Sequence, residues 1–188
     1  MISIIIPIKL QENEYWDLLP GAIKSVLRQT YKDYELIIQQ YDNDVSEGRN
    51  KGLERARGEY CLCLDADDIL YPDFLEKTLP LMKDYDMVAT MGDINGVTFT
   101  PHTSGFEIGN QMLNCFLFKK EIWNKYKFDE TLGGLEDYDW NLQAIRNGYK
   151  VGIVNEILVY ISDRPNSRNK EATRNLKTLM EIIQTKRK

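Results

Sequence analysis

Histidine is nearly absent from this sequence, which holds one in 188 residues, His102. A single imidazole in the polar stretch Thr100-Pro101-His102-Thr103-Ser104 reads as an exposed loop residue, with contact to a bound acceptor as the lesser alternative. Cysteine is scarce too. Cys61 and Cys63 stand two apart, on one face of an expected strand, and Cys115 is distant. No zinc-like spacing or disulfide framework results, so reduced, packed thiols in a cytoplasmic protein are expected. No apolar run approaches the roughly 20 residues needed to span a bilayer. The opening Met1-Ile2-Ser3-Ile4-Ile5-Ile6-Pro7 has no basic leader or small-residue cleavage site, so a signal peptide is not expected. Positive charge is not in excess: the net charge is −5 and the pI about 5.1. That weighs against nonspecific attachment to nucleic acid, although a local basic groove stays open.

What is present is an alternation of strand and helix patterns. Residues 2–8 form a nearly continuous apolar run, as in a buried parallel strand. Leu18, Leu19, Ala22, Ile23, Val26 and Leu27 then recur at helical spacing within residues 15–29. Residues 34–40 predict a second strand, and Ser46 is expected to cap a helix running to Arg57, with Gly58 as its stop. A third strand over 59–65, a helix over 74–82 opened by Pro72, and a fourth strand over 86–91 follow. The pattern predicts an α/β fold with a parallel sheet.

Near residue 92 the pattern changes. Asn95-Gly96, between Ile94 and Val97-Thr98-Phe99, signals a two-residue hairpin, hence a small antiparallel element. Further strands are expected over 111–118, 151–154 and 157–161, and helices over 119–125, 136–147 and 170–186. The last helix carries Leu176, Leu179, Met180 and Ile183 on one stripe and ends Lys186-Arg187-Lys188. It reads as a helix packed on the body; three charges are a weak membrane anchor, so peripheral contact is the lesser alternative. Trp16, Trp123 and Trp140 are expected in the core or at its rim.

Chemistry concentrates in two acidic stretches. Asp65-Ala66-Asp67-Asp68 follows the apolar run Tyr60-Cys61-Leu62-Cys63-Leu64. Crowded carboxylates raise one another's pKa and resist desolvation, and a cation would offset that repulsion. A carboxylate cluster at the end of a strand suits a hard divalent metal held against a phosphate. The competing reading is that these acids merely cap the next helix. The second stretch, Glu136-Asp137, starts an expected helix just after Gly133-Gly134, which permits close approach of backbone to a ligand.

These motifs occur in an order that resembles family-2 glycosyltransferases. Ser3–Pro7, Ser25-Val26-Leu27-Arg28-Gln29-Thr30-Tyr31 and Tyr34-Glu35-Leu36-Ile37-Ile38 are similar to the opening of that family. Ser46-Glu47-Gly48-Arg49-Asn50-Lys51-Gly52-Leu53, Ala56-Arg57-Gly58-Glu59-Tyr60 and Leu64-Asp65-Ala66-Asp67-Asp68 continue the resemblance. So do Phe128-Asp129-Glu130, Gly133-Gly134, Glu136-Asp137-Tyr138-Asp139 and Gly148-Tyr149. It covers residues 2 to about 167.

The resemblance implies a GT-A fold, Rossmann-like, with a mostly parallel central sheet flanked by helices. It implies a nucleotide-sugar donor, Mn²⁺ or Mg²⁺, and inversion at the anomeric carbon. A single domain over 1–188 is expected, with a nucleotide-sugar half (1–91), an acceptor half (92–169) and the terminal helix (170–188). Asp67 would be the metal ligand. Asp65 would reach the ribose or a metal-bound water, or ligate the metal as well, with Ala66 between them in the motif and Asp68 bracing the loop. Asp137 would be the base that deprotonates the acceptor hydroxyl, with Glu136 orienting it or contacting the acceptor. Pro7 and the following Ile8, Lys9 and Glu12 would flank the base and ribose.

Where the family places an Asp pair after the second strand, this chain reads Gln39-Gln40-Tyr41-Asp42-Asn43-Asp44. Asp42 or Gln40 is the candidate base contact; a UDP-sugar is the expected donor, with the base left open. Arg49 would contact the base or diphosphate, or be a solvated helix residue. The family's late histidine is missing from Tyr160-Ile161-Ser162-Asp163-Arg164-Pro165-Asn166-Ser167-Arg168, where Arg164 or Arg168 would supply positive charge to the leaving group. The acceptor would be a glycan or another hydroxyl compound; a nucleic-acid acceptor is disfavoured by the acidic pI, and a second subunit could complete the site. Two other readings remain: a sugar-nucleotide-binding protein of this fold without transfer, and a nucleotidyltransferase releasing pyrophosphate. Against the latter, no glycine-rich triphosphate loop follows the first strand.

Overall fold

The computed structural model describes residues 1–11, 13–102, 104, 114–163, 181–183 and 185. Its first half is built on β1 (Ile2–Lys9), where Ile2, Ile4, Ile5, Ile6 and Ile8 are all buried. β1 pairs in parallel with β2 (Tyr34–Tyr41) on one side and β3 (Tyr60–Cys63) on the other. Successive side chains alternate across the sheet. Ile2, Ile4, Ile6 and Ile8 join Leu19, Ala22 and Val26 of α1 (Asn13–Leu27), while Ile5 packs in the opposite layer with Leu53 of α2 (Val45–Arg55). Both faces of β1 are thus covered, which is why its sequence is apolar without alternation.

The sheet continues through β4 (Ile69–Leu70), β5 (Met87–Ile94), β6 (Val97–Phe99), β7 (Leu117–Lys119) and β8 (Val151–Ile161). Its order is β2-β1-β3-β7-β5-β8-β4, with β6 on β5. The long registers, β1–β2 and β5–β8, are parallel. The pairings of β7, β6 and β4 are short and antiparallel. The result is a mostly parallel α/β sheet, and the Asn95-Gly96 turn makes the expected hairpin.

Several local expectations are corrected. The sheet is not parallel throughout, because β7 inserts between β3 and β5 in the antiparallel sense. The two strands expected over 151–161 are one, β8, whose register slips opposite Thr90–Gly92; Asn155 and Glu156 interrupt its apolar pattern because they are exposed there. The helix expected over 74–82 is α3 (Phe74–Thr78) followed by a 3₁₀ segment, Leu79–Lys83. Pro80 has no N–H to continue an α-helical ladder. Pro72 lies ahead of that helix, which is entered at Asp73. Asp44, not Ser46, caps α2, its side chain accepting from the Ser46 N–H at 2.8 Å, and the helix ends at Ala56 ahead of Gly58. β1 runs on through Pro7 to Lys9. Of the strand expected over 111–118, residues 111–113 lie outside the described residues, as does most of the expected terminal helix; Ile183 is helical and buried.

The second half packs on the α2 side of the sheet through α4 (Lys120–Lys125) and α5 (Glu136–Arg146). Trp140 is fully buried there, with ring centroids 5.0, 5.4 and 5.9 Å from Phe118, Phe128 and Phe116. It is a core residue, unable to serve as a platform for sugar. Asn50 of α2 fastens this half. Its Nδ2 donates to the Phe128 carbonyl (2.9 Å) and Glu130 (2.8 Å), and its Oδ1 accepts from the Trp123 indole (2.9 Å) and the Phe128 N–H (3.1 Å). Every hydrogen-bonding position of the amide is used. Replacing Asn50 by Leu strands two buried donors, each unsatisfied group costing about 1–3 kcal/mol. A loss of about 2–5 kcal/mol is expected, read as a lower urea midpoint with unchanged slope.

Candidate active site

The carboxylates singled out from sequence meet at the C-terminal ends of the parallel strands, and the group that joins them is Arg49. From the second turn of α2 its side chain, 2% exposed, reaches both acidic stretches. Nη2 lies 2.9 Å from Asp65 Oδ1 and Nη1 lies 2.8 Å from Glu136 Oε1. The guanidinium also sits 5.5 Å from the centre of the Phe128 ring. Burial alone would lower the Arg49 pKa, but the charges of Asp65 and Glu136 outweigh it and hold the pKa well above its ordinary value. Arg49 is therefore no solvated helix residue. Both of its terminal nitrogens are directed at protein carboxylates, which leaves contact with a base or diphosphate a secondary role.

Asp65 has a protein partner on each oxygen. Its Oδ1 faces Arg49, and its Oδ2 accepts from Asn114 Nδ2 at 2.5 Å. Asn114 belongs to no motif and carried no signal in the sequence. Each oxygen of Asp65 thus has one protein partner, and lone pairs remain for a donor contact, a metal-bound water or the metal. Asp68 is buried and accepts from the Ser162 N–H at 3.0 Å, bracing its loop against the end of β8 as expected. Burial, then the charges of Asp65 and Asp67, push its carboxyl well above the usual range. Ala66 is buried between the acids, and Asp67 is half-buried.

Among the described residues no three carboxylate, thiolate or imidazole side chains converge in a metal-binding cluster. The donor set nevertheless fits a magnesium-like ion, which is commonly held by one or two carboxylates and completed by substrate phosphates and water. The charges of Asp65 and Asp67, which add to burial in raising the Asp68 carboxyl, are ones such a cation would offset. Asp67 would be the residue to hold it. The thiols are not competitors: Cys61, Cys63 and Cys115 are buried, and burial pushes the Cys63 thiol up to about 12.

Glu136 and Asp137 form the first turn of α5. The chain enters that helix through Gly133 (φ 67°), Gly134 (φ 156°) and Leu135 (φ 56°), and no side chain caps it from Leu135. Leu135 is a non-glycine residue in the left-handed region, a strain that accumulates near functional sites. Glu136 turns inward to Arg49. Asp137 is half-exposed to the cleft, and its Oδ1 accepts from the Tyr138 N–H at 2.8 Å. Burial and then the adjacent Glu136 charge raise the Asp137 pKa to about 6, with Arg49 and the Tyr138 N–H acting in the opposite direction. A carboxylate of that basicity in a cleft can take a proton near neutral pH.

Of the residues expected about the nucleobase, Pro7 lies in β1 opposite Gln39. Gln40 is exposed near the end of β2, and Asp42 is exposed in the bend just beyond it. Gly48 lets α2 lie close over these strand ends, since a Cβ there would come within 2.6 Å of the Tyr41 ring and 3.0 Å of Pro7. His102 is exposed. Arg164 and Arg168 lie outside the described residues.

Comparison with known proteins agrees with this arrangement. The family model described as Glycosyl transferase family 2 matches residues 38–137, from within β2 to the acidic pair of α5. An uncharacterized glycosyltransferase of Methanocaldococcus jannaschii is 31% identical over 192 residues, covering 78% of this chain and 66% of that protein. One of Rickettsia conorii is 32% identical over 112 residues, covering 46% of this chain and 18% of the relative. The chain thus spans just under two thirds of the first relative's length and under a fifth of the second's. Among solved structures, S. aureus TarS 1-349 in complex with UDP-GlcNAc has a TM-score of 0.76 at 15% identity, covering 97% of this chain and 65% of that one. Mannosyltransferase PcManGT from Pyrobaculum calidifontis, in complex with GDP-Man and Mn²⁺, has a TM-score of 0.69 at 13% identity, covering 95% and 61%. The fold is accordingly of the GT-A type, and the chain belongs to glycosyl transferase family 2.

Proposed function

We propose that the chain transfers a sugar from a nucleotide-sugar donor to an acceptor hydroxyl, with inversion at the anomeric carbon and with Mn²⁺ or Mg²⁺ at the diphosphate. The observation that carries this reading is the salt-bridged meeting of Asp65 and Glu136 on Arg49, beside a basic Asp137. It puts the carboxylates expected at the diphosphate and those expected at the acceptor into one site. A UDP-sugar is the donor we favour. Residues 1–91 would bind it, with Pro7, Gln40 and Asp42 about the base and Asp65 at the ribose or diphosphate. Residues 92–169 would hold the acceptor, a glycan or another hydroxyl compound, which suits polysaccharide synthesis.

The divalent ion, when bound at Asp67, would neutralise charge developing on the departing diphosphate. Asp137 would take the acceptor's proton as its oxygen attacks the anomeric carbon from the side opposite the leaving group. Glu136 would be fixed by Arg49, so that the base beside it keeps its place. Holding acceptor and donor in line would contribute much of the rate. Among the described residues no helix is long and apolar enough to cross a membrane. A cytoplasmic location with at most peripheral membrane contact is the corresponding proposal.

Three outcomes test this reading. Asp137→Asn keeps an acceptor for the Tyr138 N–H but cannot take a proton, so transfer should fall about 10²–10⁴-fold; near wild-type transfer would show that the base lies elsewhere. The folded Asp137 carboxyl binds its proton up to about pH 6, whereas an unfolded one releases it near pH 3.9. Its contribution to stability is therefore full below about pH 4 and lost as pH rises through about 6. Asp137→Asn should thus be more stable than the parent above pH 7, by about 1–2 kcal/mol after allowing for solvent at the cleft. The kcat of the parent should rise with pH through about 6, where the base ionises. Finally, UDP with Mn²⁺ should raise the melting temperature of the parent but not of Asp67→Ala. Equal stabilisation by UDP in the presence of EDTA would remove the metal from Asp67.

A further inference from the structure

We propose that Arg49 is a positioning residue that couples the donor site to the acceptor base, so that nucleotide binding at Asp65 and the placement of Glu136 depend on each other. The inference rests on the transferase reading of this site. Arg49 is the shared partner of two carboxylates that are distant in sequence, with one terminal nitrogen on each. A guanidinium is a rigid planar fork, so the position of one carboxylate constrains the other. The fork cannot swing out to water: it is 2% exposed, it lies over Phe128, and its helix is fixed to the second half by the next residue, Asn50. Its Nε is buried without a partner among the described residues, so the two outer bonds are what hold its orientation. The second oxygen of Asp65 is tied to Asn114. A nucleotide or cation that draws on Asp65 therefore meets a carboxylate whose position and charge Arg49 sets, and a change on the Glu136 side alters how much of Arg49 is available to Asp65. Asp137 follows Glu136 directly in the first turn of α5, so a displacement there reaches the proposed base.

The consequence is a measurable coupling between residues assigned to different substrates. Binding of UDP and of GDP, each with Mn²⁺, would be measured calorimetrically for the parent, Asp65→Asn, Glu136→Gln and the double variant. Neutralising Glu136 leaves Arg49 to Asp65 alone and so should weaken nucleotide binding roughly fivefold or more. In the double variant that effect should vanish, giving strong non-additivity. Arg49→Lys, which keeps the charge but loses the fork, should likewise abolish the influence of Glu136→Gln on nucleotide affinity. If Arg49→Lys does not fold, the cycle between Asp65 and Glu136 still decides. A purely structural bridge would lower the melting temperature of every variant while leaving nucleotide affinity unchanged in Glu136→Gln. That result, or additivity in the double variant, overturns the coupling while the transferase reading stands. Failure of the parent to bind either nucleotide overturns both.

Discussion

Burying Arg49 between Asp65 and Glu136 takes charged groups out of water, and the site depends on their mutual compensation. Such clusters are poor sources of net stability, because desolvation offsets most of the attraction. They are effective at fixing geometry, because removing any one member strands the others in a place where they are costly. Here the fixed geometry is the distance between a strand-end carboxylate of the first half and the helix start that carries Asp137. The arrangement favours precision at the cleft over stability of the chain.

α2 is the element through which this is achieved. Its buried face carries Arg49 toward the cleft and Asn50 toward Phe128, Glu130 and Trp123. Adjacent residues on one helix thus serve the site and the scaffold that holds it. The amide of Asn50 saturates its own partners and leaves no slack, so the aromatic cluster around Trp140 cannot move relative to α2 without breaking hydrogen bonds in a dry region. That rigidity lets a single guanidinium act as a ruler between two carboxylates.

The proposed base illustrates the tension between stability and activity. Asp137 is raised to about 6 by burial and by its neighbour Glu136. The left-handed Leu135 adds backbone strain at the same point. Each feature disfavours the folded state slightly, and each keeps a basic carboxylate facing the cleft. The charge of Arg49 and the Tyr138 N–H act in the opposite direction on Asp137 and limit the rise.

The fold class was legible because β1 is apolar on both faces and the helices after it repeat at 3.6 residues. Both patterns come from local geometry. The acidic stretches were legible because their order and spacing among the other motifs resembled one family, where capping alone would explain either stretch by itself. What escaped was non-local. The place of β7 between β3 and β5, the fusion of two expected strands into β8, and the contact of Asn114 with Asp65 leave no periodic trace in the chain. The role of Arg49 escaped for the same reason: on its helix it resembles any solvated arginine, and only the approach of β3 and α5 removes the water around it. The order of residues determined which groups are available and which elements carry them. The tertiary structure decided which charges meet, because desolvation and pairing energies depend on distances between segments far apart along the chain.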